Sequence, residues 1–181
     1  LFDLKAFRRL PLRDMKGQAI PQSLDPHIWL DPNNAIGIAY AIAAVRSKQF
    51  PKHAAEYQQN AQRFAQQLRA VVVAEKPISP RDYWAYHDAY QYLEKALNLK
   101  FAGALTADAH LPPSIGQLVW LKQHRPHANA VCLFAERQPN TALLTKLQPI
   151  EYYPIDEVMA QSTNFIQGWQ VLARRLKQCG R

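Results

Sequence analysis

The sequence predicts an α/β protein: a parallel sheet flanked by helices and preceded by a long helix. Three observations predict it. Beyond Pro80, short apolar runs alternate with stretches of helical periodicity, the pattern of strand–helix–strand units. Ala130-Val131-Cys132-Leu133-Phe134-Ala135 is one unbroken apolar run, as in a strand buried on both faces. Tyr57, Ala61, Phe64, Leu68 and Val71 step by three and four through a stretch filled with Gln and Ala, which marks a long amphipathic helix.

Taken in order, residues 1–24 read as an irregular connector, broken by Pro11, Gly17 and Pro21. Asp31 suits an N-cap and Pro32 the first turn of a helix whose apolar positions are Ile38, Ile42 and Val45. Pro51 starts the long helix, and Pro77 and Pro80 end it. Tyr83-Trp84-Ala85-Tyr86 is an aromatic strand, and Asp88 is placed to cap a helix carrying Tyr92, Leu93 and Leu97. A second strand covers residues 101–105, and Ser114 opens a helix bearing Ile115, Leu118, Val119 and Leu121. After the strand at 130–135 come a short helix with Leu143, Leu144 and Leu147 and a weaker strand ending near Pro154. Ser162 is placed to cap a last helix that buries Phe165, Ile166, Trp169, Leu172 and Leu176.

The chain has 181 residues and a formal net charge of +8. That charge allows a nucleic-acid or anionic-surface partner. Yet only Arg8-Arg9 and Arg174-Arg175 are adjacent cations, so a solvated basic surface is the simpler reading and no nucleic acid is expected. No apolar run approaches bilayer length. Leu1-Phe2-Asp3-Leu4-Lys5 lacks the basic start and apolar core of a signal peptide, though the chain does not begin with Met and says little about its compartment. Cys132 and Cys179 are too far apart for a zinc knuckle and read as two buried thiols or one disulfide. No GxSxG, phosphate-binding loop, HExxH or GxGxxG occurs, so no enzyme is expected.

Ligands of open parallel sheets bind beyond the strand C-termini. His87, Glu136 and Asp156 each follow an expected strand. His27 lies in Asp25-Pro26-His27-Ile28-Trp29-Leu30-Asp31-Pro32, where Pro26 stiffens the chain and Trp29 can anchor the loop. Two imidazoles with a carboxylate such as Asp156 would suit zinc. Glu136 and Asp88 are candidates to orient those ligands from behind. The plainer reading makes both histidines packed, hydrogen-bonded residues. His53, His110, His124 and His127 lie in loops or on a surface helix and are expected to be non-ligands.

The motifs Asp25 to Pro32, His87-Asp88-Ala89-Tyr90 with Tyr92 and Glu94, Cys132-Leu133-Phe134-Ala135-Glu136, and Ile155-Asp156 occur in this order. Residues 25–179 resemble the C-terminal half of the zinc- and manganese-type solute-binding proteins of bacterial ABC transporters, nearest the zinc-uptake members. The resemblance implies two lobes joined by a long backbone helix, with metal held between them. It assigns His27 and His87 as ligands, with an acid near Asp156, for zinc, manganese being the alternative ion. It pairs Cys132 with Cys179 in an oxidising periplasm, and its partner is the membrane permease. It divides the chain into residues 1–24, a connector and remnant of an N-terminal lobe; 25–76, the metal-ligand loop and backbone helices; and 77–181, the C-terminal α/β lobe. The family's first lobe, which supplies a further histidine, is not in this sequence. An uncovered face around Trp29 and Tyr90 would then be exposed and drive self-association. The rival expectation is a basic α/β module for an anionic partner, with structural histidines.

Overall fold

A computed structural model describes residues 7–76, 79–136 and 138–179; Pro77 and the first six residues of the connector lie outside them. From Phe7 to Asp25 the chain is irregular but anchored. Arg13 and Ala19 bridge in antiparallel fashion, and the Asp25 amide donates to the Leu10 carbonyl at 2.9 Å. Phe7 is buried against the first helix, where a side chain on Gly37 would come within 2.6 Å of its ring. Glycine is what admits the ring there.

The first helix, α1 (Pro32–Gln49), starts as expected: Asp31 Oδ1 accepts from the Asn33 amide at 2.8 Å. Such a cap satisfies one of the N–H groups that a helix start leaves without a partner. After a single turn at Pro51–His53, α2 runs through Ala54–Glu75 and buries Ala61, Ala65 and Leu68. The inward face of α1 differs from the expected stripe. Asn34, Ala35, Ile36 and Ala43 face the interior, whereas Ile42 and Val45 are 56% and 55% exposed. Both stripes have helical spacing, so only the packing of α1 on α2 and Phe7 chooses between them.

The sheet is fully parallel, in the order β2-β1-β3-β4, from β1 (Arg81–Ala85), β2 (Leu99–Ala104), β3 (Val131–Ala135) and β4 (Ile150–Pro154). Four helices follow the strands: α3 (Glu94–Leu97), α4 (Ile115–Gln123), α5 (Thr141–Leu147) and α6 (Phe165–Gln178). The central strands bury both faces, which explains their unbroken apolar runs. Tyr83, Ala85, Cys132 and Phe134 share a core with Leu68 of α2 and Trp169, Leu172 and Leu176 of α6. Trp84, Val131 and Leu133 pack with Leu105, Leu121 and Leu147 on the other side. Connections from β1 to β2 and onward to β3 run in opposite senses across the sheet, so the crevice between the ends of β1 and β3 is its switch point.

Three local expectations are corrected. Helix α4 begins at Ser114, whose Oγ accepts from the Gln117 amide at 3.1 Å, but Ile115 and Val119 point outward and Gln117 inward. Gln117 is buried because its amide donates to the Ala104 carbonyl at 2.6 Å. Asn164, not Ser162, caps α6, accepting from the Gln167 amide at 3.0 Å; Ser162 instead closes a turn onto the Met159 carbonyl. Asp88 caps no helix, because its carboxylate is taken by Arg13.

Two attachments fasten the ends of the fold. Cys132 and Cys179 form a disulfide that ties the end of α6 to β3. Glu75, the last residue of α2, accepts from Gln170 at 3.2 Å, Arg174 at 2.8 Å and Lys177 at 2.8 Å, all on α6. Burial alone would raise this carboxyl, but those three donors outweigh it and bring its pKa down to about 2. A folded-state pKa below the ordinary value adds stability above the ordinary carboxylate range, lost as pH falls toward the folded value. Glu75→Gln is therefore expected to destabilise the protein by about 2 kcal/mol at neutral pH. In urea unfolding across a pH series, that difference should shrink between pH 4.5 and about 2. Among the described residues no helix is long and apolar enough to cross a membrane.

Candidate metal centre

The loop that carries His27 is held from several sides before any ligand chemistry arises. Trp169 of α6 donates its indole N–H to the Leu30 carbonyl at 3.2 Å. Asn34 of α1 donates to the Ile28 carbonyl at 3.1 Å and to the Arg8 carbonyl at 2.9 Å. Asp25 is 1% exposed, and its Oδ1 lies 2.7 Å from His27 Nδ1 and accepts from the His27 amide at 3.0 Å. Its other oxygen accepts from Gln91 Nε2 at 3.1 Å. A carboxylate on Nδ1 sets the ring orientation and leaves Nε2 as the free electron pair.

His87 leaves the sheet at the end of β1. The preceding residue, Tyr86, is locked into the sheet edge: its amide donates to the Phe134 carbonyl at 2.8 Å, and its carbonyl accepts from the Thr106 amide at 2.9 Å. The two imidazole rings stand 6.0 Å apart, centroid to centroid.

The third member of the cluster is Glu157. Its Oε1 lies 3.7 Å from His27 Nε2 and 3.6 Å from His87 Nε2, and one ligating atom from each of the three residues falls within 4.8 Å of the others. Tetrahedral zinc with bonds of about 2.0–2.2 Å spaces its ligand atoms about 3.3–3.6 Å apart, so small side-chain shifts close this set on an ion. Glu157 is buried, and its Oε2 has no hydrogen-bond partner. Such a buried, unpartnered carboxylate oxygen is costly unless a cation sits beside it. Burial alone would raise the Glu157 carboxyl, but the adjoining His87, Glu136 and His27 outweigh it and lower it. Burial would likewise lower the His87 pKa, but Glu157, with Glu136 and Asp88, raises it. The residues present fit a metal ion.

The expected acid, Asp156, is not part of this cluster. It is exposed, and its carboxylate accepts from the Gln161 amide at 3.3 Å in the turn after β4. Successive side chains in that turn diverge, so Asp156 faces solvent while Glu157 faces the histidines. The turn is held against α6 at Gly168, where a Cβ would meet that of Met159 at 2.6 Å. Trp29 ties the two ligand loops together by donating its indole N–H to the Glu157 carbonyl at 3.2 Å.

Of the two candidates for orienting ligands, Asp88 lies beside His87 in sequence and pairs with Arg13 at 2.7 Å. Glu136 is exposed and shares a cleft of about 360 Å³ with His87 and His110. Asp25, which does lie against the His27 ring, carries a readable signal in Asp25-Pro26-His27: an acid two residues ahead reaches both the amide and the ring. The exposed aromatic face expected around Trp29 and Tyr90 is absent. Tyr90 is 0% exposed in the main core, packed edge-on to Phe134, and Trp29 is half-buried. Of the other histidines, His53 is exposed beside Glu56, His110 lies in an exposed turn and His124 stacks on Trp120.

Solved structures share this fold. The crystal structure of a ZnuA superposes with a TM-score of 0.75 at 18% identity, covering 98% of this chain and 69% of that one. Manganese-bound FpvC from Pseudomonas aeruginosa gives 0.70 at 21% identity, covering 93% and 64%. Among curated proteins, the high-affinity zinc uptake system protein of Brucella abortus strain 2308 is 35% identical over 118 residues, 63% of this chain and 35% of that protein. The protein of the same name from Haemophilus ducreyi is 27% identical over 166 residues, 86% of this chain and 54% of that one. The present chain thus spans about half, or less, of the length of these curated relatives. A family model described as the periplasmic zinc-uptake complex component A matches residues 6–179. That match takes in the segments that carry His27, His87 and Glu157, the whole sheet and the disulfide, and the chain belongs to the ZnuA family of periplasmic zinc-uptake components.

Proposed function

We propose that this chain captures zinc in the periplasm and delivers it to the membrane permease of an ABC transporter, with His27, His87 and Glu157 as protein ligands. The observation that carries this reading is the convergence of three ligating atoms on one point, with His27 already oriented by Asp25. Two imidazoles and one carboxylate suit zinc, whereas manganese favours sites richer in oxygen. Three protein donors leave one tetrahedral position for a further ligand. The action is binding and release, without a bond-making step. In this reading residues 1–24 are connector, 25–76 carry the ligand loop and backbone helices, and 77–181 form the α/β lobe. The basic-module alternative supplies no reason for the three atoms to meet. The self-association expected from an exposed aromatic face loses its basis, since Tyr90 is core and Trp29 is engaged with the Glu157 loop.

Calorimetric titration with zinc tests the assignment. His27→Ala and His87→Ala are each expected to weaken binding at least about tenfold, because each removes a metal–ligand bond. His53→Ala should leave it unchanged, since that ring is exposed beside Glu56 and is not a member of the cluster. Equal losses for His53→Ala and His87→Ala would refute the site.

A further inference from the structure

Arg13 is a heavily engaged cation outside the candidate metal cluster. Its side chain is only 12% exposed. Nε donates to Asp88 Oδ2 at 2.7 Å and Nη2 to Asp88 Oδ1 at 2.8 Å, the two-pronged geometry that fixes both partners in plane. Nη2 also donates to Glu94 Oε1 at 2.7 Å, and that oxygen accepts from the Tyr83 hydroxyl at 3.0 Å. The guanidinium lies over the Phe101 ring, 4.2 Å from its centroid. Burying a cation and two acids is costly unless they are paired, and here Arg13 bonds to both acids.

The segment that bears Arg13 is itself strapped to the sheet. The Met15 carbonyl accepts from the Ala104 amide at 2.9 Å and from Gln117 Nε2 at 3.3 Å. Asp14 Oδ1 accepts from the amides of Lys16 and Gln18 and rounds the turn. Arg13 is thus held by its segment against edge strand β2, and Asp88 hangs from it.

Asp88 immediately follows His87. The two imidazoles of the cluster are therefore held differently: His27 through a carboxylate on its own ring nitrogen, His87 through the chain on either side. Tyr86 is fixed before it by the sheet, and Asp88 after it by Arg13. Resting on the metal-capture reading above, we propose that Arg13 is a positioning residue for the metal site, clamping Asp88 so that the His87 imidazole is presented toward His27 and Glu157. The connector thereby takes part in metal capture without offering a ligand. Lys cannot replace Arg here in full, since one ammonium lacks the fork that grips both Asp88 oxygens and reaches Glu94.

The test uses the whole chain and two readouts. In metal-free protein, Arg13→Met should shift the His87 ring resonances in NMR spectra while leaving those of His27 in place, and Arg13→Lys should shift them less. With zinc, Arg13→Met should bind about tenfold or more weakly, the range for partners that orient metal ligands. Cobalt substituted for zinc should show an altered visible spectrum in the same variant. Asp88→Asn should reproduce these changes, and adding Arg13→Met to it should add little, since both break one clamp. Far-ultraviolet circular dichroism checks that each variant is folded; should Arg13→Met not fold, Asp88→Asn carries the same two readouts. Unchanged His87 resonances and unchanged zinc affinity in a folded variant overturn the positioning role alone. Wild-type protein that takes up no zinc overturns the metal-capture reading, and the role of Arg13 with it.

Discussion

Glu157→Ala is expected to weaken zinc binding by more than about 100-fold, beyond the range for groups that only orient ligands. It removes the carboxylate proposed as the anionic ligand, the charge that two imidazoles face at 3.7 and 3.6 Å. Asp156→Ala should leave affinity within about twofold, since that carboxylate is exposed and accepts from the Gln161 amide, outside the histidine cluster. The contrast is sharp because the two acids are neighbours in sequence with opposite directions in space. Calorimetry on both variants, alongside Glu157→Gln to keep the volume, measures it. Comparable losses for the two acids would mean that the turn after β4 rearranges on binding.

The largest expected effect on stability comes from the disulfide. It closes a loop with a sequence separation of 47 residues. In the chain-entropy account a loop of that size is worth about 4 kcal/mol, a large share of the roughly 5–15 kcal/mol that holds a domain folded. The Cys132→Ala, Cys179→Ala double variant should therefore unfold at a distinctly lower urea concentration than the oxidised protein. Zinc binding below the transition should be nearly intact, because Cys132 lies early in β3, away from the strand ends that carry the site. A variant as stable as the oxidised parent would overturn the chain-entropy account for this bond.

Part of the candidate site is legible in the residues, and the resemblance supplies the ligand roles. His27 and His87 stood out because each sits where a stiffened or strand-ending segment gives way to a turn, and both are in the cluster. The expected acid is Asp156, whereas the carboxylate beside the histidines is that of Glu157. Asp156 and Glu157 are chemically alike and adjacent, and only the turn held against Gly168 and Trp29 decides which of them looks inward. Asp25 was overlooked as an orienting group although it stands two residues from its partner. Asp88 looked like a cap, because its true partner, Arg13, is 75 residues away.

What the sequence determined by itself was the kind and order of the elements: a capped α1, a long α2, and four strands alternating with helices. Those follow from local spacing, prolines and unbroken apolar runs, which register burial without knowing the neighbour. The resemblance named the cysteine pair, and the structure contains it. Tertiary structure alone decided which of two apolar stripes on α1 and α4 turned inward, why Tyr90 became core, and which acid joined the histidines. Each of those is a choice between locally equivalent directions. It is settled only when a distant element, α2, α6 or the Arg13 segment, closes off one side.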